Sequence, residues 1–120
     1  MQETPKNLSL NRAAMSLAKQ LIQDGKVNKE QDNWEQNKPN PESENAFLAE
    51  HEMKEYGRWF LATVDGTDPE TKGHYEFPFG NFDQVFRSGL IAAKQRAGQF
   101  KHSAIEQAAG ILLGMLESGS

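Results

Sequence analysis

The chain has 120 residues, no cysteine, 37 % hydrophobic residues and a formal net charge of −4. That length holds one domain with extensions, and the missing cysteine excludes disulfides, thiolate metal sites and a cysteine nucleophile. No apolar run approaches the ~20 residues of a bilayer span, and Met1-Gln2-Glu3-Thr4-Pro5-Lys6 lacks the basic-then-apolar order of a signal peptide, so a cytoplasmic protein with no membrane partner is expected.

Residues 1–8 read as disordered. Ser9 or Asn11 can cap a helix whose apolar positions are Ala13, Ala14, Leu17, Ala18, Leu21 and Ile22. Asp24-Gly25 is its stop, since glycine takes the left-handed conformation after a last turn. The face is narrow and weakly apolar, so the helix must dock to be stable. Residues 28–45 are polar, with Pro39 and Pro41, and read as a linker. Trp34 stands alone in it, as an anchor that buries its ring on the neighbouring core.

Pro41 or Ser43 opens a second helical segment over residues 45–56, broken at Gly57. Residues 58–64 are aromatic and β-branched and read as a strand. Residues 65–70 carry turn chemistry, with Asp68 as the cap of a short helical turn that starts at Pro69. Residues 74–79 put Tyr75, Phe77 and Phe79 on one side of an extended segment. Pro78 cannot donate a ladder hydrogen bond, which confines that segment to an edge. The two strands predict a small hairpin that needs a helix against it.

Residues 85–101 form a helical pattern with four cations and no acid, and residues 84–105 balance at +4 against −8 for residues 24–83. Phe86, Leu90, Ala93 and Ala97 share its apolar face. Arg87, Lys94 and Lys101 are seven apart and line up beside that face, while Arg96 points away. A last helix opens with the capping-box pattern Ser103-Ala104-Ile105-Glu106 and repeats Ile105, Ala108, Ala109, Leu112, Leu113 and Leu116 at helical spacing. The two helices predict an antiparallel hairpin joined at residues 98–103. Residues 117–120 read as an unstructured tail.

Catalytic chemistry has no visible carrier. Asp65, Asp68 and Glu70 lack calcium-loop spacing. No pair of His51, His74 and His102 has the spacing of a helical zinc site. Nucleophile-elbow, Walker and dinucleotide-binding patterns are absent, so no enzyme, metal or cofactor is implied. The basic helix has two readings. Its cations can contact nucleic-acid phosphates; alternatively their stems cover the core edge and their charges pair with the acidic middle of the chain. Arg87, Lys94, Arg96 and Lys101 are the candidate contact residues in either case.

Three pieces in order carry a resemblance: Asp32-Asn33-Trp34 with Ser43-Glu44-Asn45-Ala46-Phe47-Leu48; Trp59-Phe60-Leu61 through Asp68-Pro69-Glu70-Thr71-Lys72 and Tyr75-Glu76-Phe77-Pro78-Phe79-Gly80; and Val85-Phe86-Arg87-Ser88-Gly89-Leu90-Ile91-Ala92-Ala93-Lys94-Gln95-Arg96-Ala97 with the helix around Ile105. Across residues 25–117 the chain resembles a small domain of bacteriophage and prophage proteins. That domain lies in or beside head-assembly polypeptides such as prohead proteases. The resemblance implies a non-enzymatic accessory module with a phage-encoded protein partner in the bacterial host cytoplasm. It transfers no protease residues. The expected architecture is α+β: an N-terminal helix and linker (1–40), a small domain with a two-stranded element and a C-terminal helical hairpin (41–117), and a disordered tail (118–120).

Overall fold

The computed structural model describes residues 7–118. The fold is α+β and mainly helical. Among the described residues the order is β1 (Leu8–Leu10), α1 (Arg12–Gln23), β2 (Val27–Asn28), α2 (Trp34–Asn37), α3 (Pro41–Leu48), α4 (Met53–Gly57), β3 (Phe60–Val64), a 3-10 turn (Lys72–His74), β4 (Tyr75–Pro78), β5 (Val85–Phe86), α5 (Arg87–Gln99) and α6 (Ser103–Ser118).

The expected hairpin is β3 with β4, antiparallel, with Pro78 on the edge strand. The sheet has a third member. Leu8 to Leu10 pair antiparallel with β3, Leu8 opposite Val64, so residue 8 belongs to a strand; residues 1–6 lie outside the described residues. Neither Ser9 nor Asn11 caps α1 with its side chain. Ser9 Oγ donates to Asp65. The Asn11 amide donates to the carbonyls of Gly57 (2.9 Å) and Phe60 (3.0 Å), binding the N-terminal segment to the entry of β3.

Helix α1 stops as its sequence predicts. Gly25 has φ +78°, its N–H donates to Ile22 and that of Lys26 to Leu21, a Schellman closure that satisfies orphan carbonyls. The chain then runs into β2, which pairs parallel with β5, Val27 opposite Val85. The first helix is docked: Ala14, Ala18 and Leu21 share one core with Leu61, Phe79, Leu90, Ala97, Ile105, Leu112 and Leu116. The core therefore extends across the boundary expected at residue 40.

The polar stretch is structured rather than a free linker. Asn28 Oδ1 accepts from the Asn33 amide, and Asn33 Oδ1 accepts from Ser88 Oγ at 2.7 Å. Trp34 is half-buried, its ring 5.8 Å from Phe86. It lies so close over Gly89 that a methyl group there would sit 2.8 Å from the indole. The second helix is two helices. Asn40 caps α3 in a capping box with Ser43, with Pro41 at its first position. A further box between Glu52 and Glu55 starts α4, and that competing cap ends the expected continuous run. Asp68 closes a turn, its carboxylate accepting from the Glu70 N–H, and the short helical turn begins later, at Lys72.

Helices α5 and α6 form the expected antiparallel hairpin, with Leu90, Ala93 and Ala97 facing Ile105, Ala108, Ala109, Leu112 and Leu116. Val85 and Phe86 belong to β5, not to the helix. Ser103 is the first residue of α6 and makes no capping bond; the Glu106 N–H donates to the His102 carbonyl, and its carboxylate is turned onto Gly98 of α5. The hairpin turn is a second Schellman closure: Lys101 N–H donates to Gly98 and His102 N–H to Ala97. Here the left-handed position is held by a lysine, at φ +63°. Helix α6 includes Glu117 and Ser118, which read as tail in the sequence; residues 119–120 lie outside the described residues. We expect Lys101→Gly to raise the unfolding free energy by about 1 kcal/mol, because a side chain at positive φ carries a steric cost that glycine lacks. Urea unfolding of the two proteins measures this.

Candidate functional site

The four cations do not form one row. Arg87, at the start of α5, is tied through Nε to Glu117 near the end of α6. Its partner thus comes from the C-terminal helix and not from the acidic middle. Lys94 lays its stem over Gly110 of α6, Cε 3.4 Å from where a β-carbon would stand. Lys101 has left the helix and sits in the turn. Arg96 lies on the other side of α5, as its spacing predicts, with its guanidinium 5.9 Å from the centre of the Phe100 ring. Lys94, Arg96 and Lys101 make no ion pair among the described residues.

Arg96 faces a cleft of about 590 Å³ between α2, β4 and α5, within the ~300–1,000 Å³ range of ligand sites. Trp34 and Pro39 form one wall, Tyr75, Phe77 and Pro78 another, and Gln95, Arg96 and Gln99 of α5 a third. Each wall has a local cause. Gly89 lets the indole lie flat on α5, and the Asn28–Asn33–Ser88 bonds hold the segment that carries it. Pro39 is placed by the Asn40 cap. Phe77 has φ +67°, a conformation that bulky residues rarely adopt; it buries the ring against the hairpin, 6.1 Å from His102.

Most charged groups around the cleft are engaged. Glu35 pairs with Lys38 at 2.9 Å. Glu44 pairs with Lys72 at 3.3 Å, and Lys72 also donates to Asn45 at 2.8 Å. Glu76 has an interaction partner as well. Glu44 also faces the Tyr56 hydroxyl. Burial first, then the charge of Glu44 and its hydrogen bond, push the Tyr56 pKa well above its ordinary value. Tyr75 is pushed up by burial and by the charges of Glu70 and Asp68, and its hydroxyl donates to the Pro69 carbonyl.

The raised tyrosines have a pH consequence. The unfolded chain ionises its tyrosines near pH 10.0 while the folded chain keeps Tyr56 protonated. Their contribution to stability is therefore complete below pH ~10 and declines as pH rises above it. We expect Tyr56→Phe to flatten this alkaline loss, read as the change in urea midpoint from pH 8 to 11.

Spacing places Arg96 apart from the other three cations, which holds. Helical spacing already puts Gln95 and Gln99 on the face of Arg96; sequence reasoning missed the opposite walls, since Trp34, Pro39 and Pro78 reach Arg96 only through folding, although the lone Trp34 was a signal. The expected site residues Arg87, Lys94 and Lys101 lie outside this cleft. Among the described residues no group of three or more histidines and carboxylates converges to hold a metal ion, and no helix is long and apolar enough to cross a membrane. Comparison of the chain with family models, with curated proteins and with solved structures finds no match.

Proposed function

We propose that this chain is a non-enzymatic protein-interaction module that seats a segment of another protein in the cleft between α2, β4 and α5. In keeping with the phage resemblance, the proposed partner is a phage-encoded protein of head assembly, met in the cytoplasm of a bacterial host. The observation that carries the reading is the make-up of the cleft: rings and prolines on two walls, glutamine amides and one guanidinium on the third, with Glu35, Lys38, Glu44 and Glu76 also lining it. Such a lining suits an extended peptide, whose side chains need apolar contact and whose backbone needs both donors and acceptors. Glu35 and Glu44 hold lysines, so they are poor candidates for general acid or base work.

The nucleic-acid reading finds less support in the same geometry. A phosphate-tracking surface needs cations along one path; Arg87 is neutralised by Glu117, and Arg96 and Lys101 lie off the line of Lys94. The test is co-expression of the full chain with the products of genes flanking its coding region, followed by co-purification. A complex lost on Gln95→Trp, which fills the cleft mouth from an exposed position, supports the reading. Salt-sensitive binding to duplex or single-stranded DNA that disappears on Lys94→Glu replaces it with the nucleic-acid one.

A further inference from the structure

Independently of that reading, we infer that a second cleft, between α1, α4 and the β3–β4 hairpin, binds the phosphate group of a small organic phosphate. The cleft has a volume of about 510 Å³, within the range of ligand sites, and shares only Tyr75 with the first. Two local features build it. The Asn11 amide ties the start of α1 to the carbonyls of Gly57 and Phe60, which brings α1, α4 and β3 together. Gly57 has no β-carbon, so the Tyr75 ring lies directly on the end of α4; a methyl group there would stand 2.3 Å from it. The charges in this cleft have one sign. Lys54 and Arg58, one helical turn apart at the end of α4, line it with His74, and no carboxylate does. Neither Lys54 nor Arg58 makes an ion pair or hydrogen bond among the described residues, although Arg58 is half-buried. The same two cations border a neighbouring groove with Glu50, Glu52 and Glu55. Glu55 is engaged there, in contact with His51 Nδ1 at 3.2 Å and accepting from the Glu52 N–H, and none of the three pairs with Lys54 or Arg58.

The neutral groups fit the same ligand. Ser16 of α1 and Thr63 of β3 line the cleft, and their hydroxyls bond to nothing among the described residues. Thr67 Oγ1 gives its proton to the Val64 carbonyl at 2.8 Å, so in its 2.7 Å contact with His74 the ring Nδ1 is the donor. That leaves Nε2 as the free position of the ring. A phosphate takes charge-assisted bonds from an ammonium, a guanidinium and hydroxyls at once, and a half-buried guanidinium recovers through it the hydrogen bonds that burial removes. Donors that arrive from α1, α4 and β3 suit a tetrahedral group with three free oxygens better than a planar carboxylate. The Tyr75 hydroxyl is turned onto the Pro69 carbonyl, so the ring offers the organic part of the ligand an apolar surface.

The test titrates the isotope-labelled full chain with phenyl phosphate and follows its amide signals by NMR, with inorganic phosphate, phenol and benzoate as comparison probes. Saturable shifts are expected at Ser16, Arg58, Thr63 and His74. Inorganic phosphate should move the same signals at higher concentration, because it lacks the group that rests on Tyr75. Arg58→Gln should weaken phenyl phosphate about tenfold, as loss of a charged hydrogen bond does, and the exposed Lys54→Gln should weaken it in the same direction. Lys29→Gln, at an exposed position outside the cleft, leaves it within about twofold. A preserved spread of amide signals shows which variants fold, and Lys54→Gln decides if Arg58→Gln does not. Phenol or benzoate binding as tightly as phenyl phosphate overturns the phosphate assignment. Shifts that do not saturate, that fall elsewhere, or that are indifferent to Lys54 and Arg58 overturn the site.

Discussion

Phe79→Ala is expected to lower the unfolding free energy by about 3–5 kcal/mol, the range for removing a buried phenylalanine. Phe79 is fully buried and stacks on Trp59 at 5.8 Å. Its backbone is the junction of the two sheets: its N–H donates to the Trp59 carbonyl, and its carbonyl accepts from the Phe86 N–H. The surroundings cannot collapse into the vacated space without moving β3 or β5, which places the cost in the upper part of that range. A domain of this size is typically stable by about 5–15 kcal/mol, so the variant loses a large share of its stability. The measurement is equilibrium urea unfolding followed by circular dichroism. A loss under about 1 kcal/mol would mean that the junction tolerates a cavity and that the sheets are held elsewhere.

The next residue gives the second large effect, by crowding rather than by vacancy. A β-carbon on Gly80 would stand 2.3 Å from the Gln84 carbonyl oxygen and 2.7 Å from the Trp59 ring. The first contact is backbone. The Gln84 carbonyl accepts from the Asn81 N–H, and the adjoining Val85 N–H donates to Lys26, so moving it strains the bridge between Gly80 and Val85. Gly80→Ala is expected to cost about 3 kcal/mol, the upper end for overpacking. Gly73→Ala is the control: its β-carbon meets nothing within 4 Å, so its effect should stay within about 0.5 kcal/mol. Equal effects at the two glycines would remove the steric argument.

Much of the architecture is written in local chemistry. Gly25 stops α1, Pro78 confines β4 to an edge, and the spacing from Leu90 to Leu116 makes the hairpin. Strands β1 and β2 are another matter. Two or three residues have no period to read, and Leu8–Leu10 and Val27–Asn28 are strands only because Val64 and Val85 come to meet them. The break between α3 and α4 follows from Glu52 and Glu55 capping a new helix, a pattern that competes locally with a continuous apolar face. The cleft was legible only in part. Trp34 signals an anchor by being alone among polar residues, but its meeting with Pro78 and Arg96 depends on tertiary placement. Glu117 as the partner of Arg87 was hidden for the same reason, since it sits in a segment that reads as tail. Phe82, at φ +70°, adopts a turn conformation that its residue type disfavours, and stacks on Phe47 at 4.7 Å.

The parallel pairing of Val27 with Val85 bears on how the chain is born. During synthesis the segment from Leu8 to Asn28 emerges before the strands it pairs with, and each of its two strands waits for a partner made much later. At about 5–20 residues per second, the interval between residues 27 and 85 takes on the order of 3 to 12 seconds. Through that interval the Leu17, Leu21 and Ile22 side of α1 has nothing to cover it. The nascent chain therefore carries that apolar side in water before a folded domain exists, and slower translation lengthens the exposure.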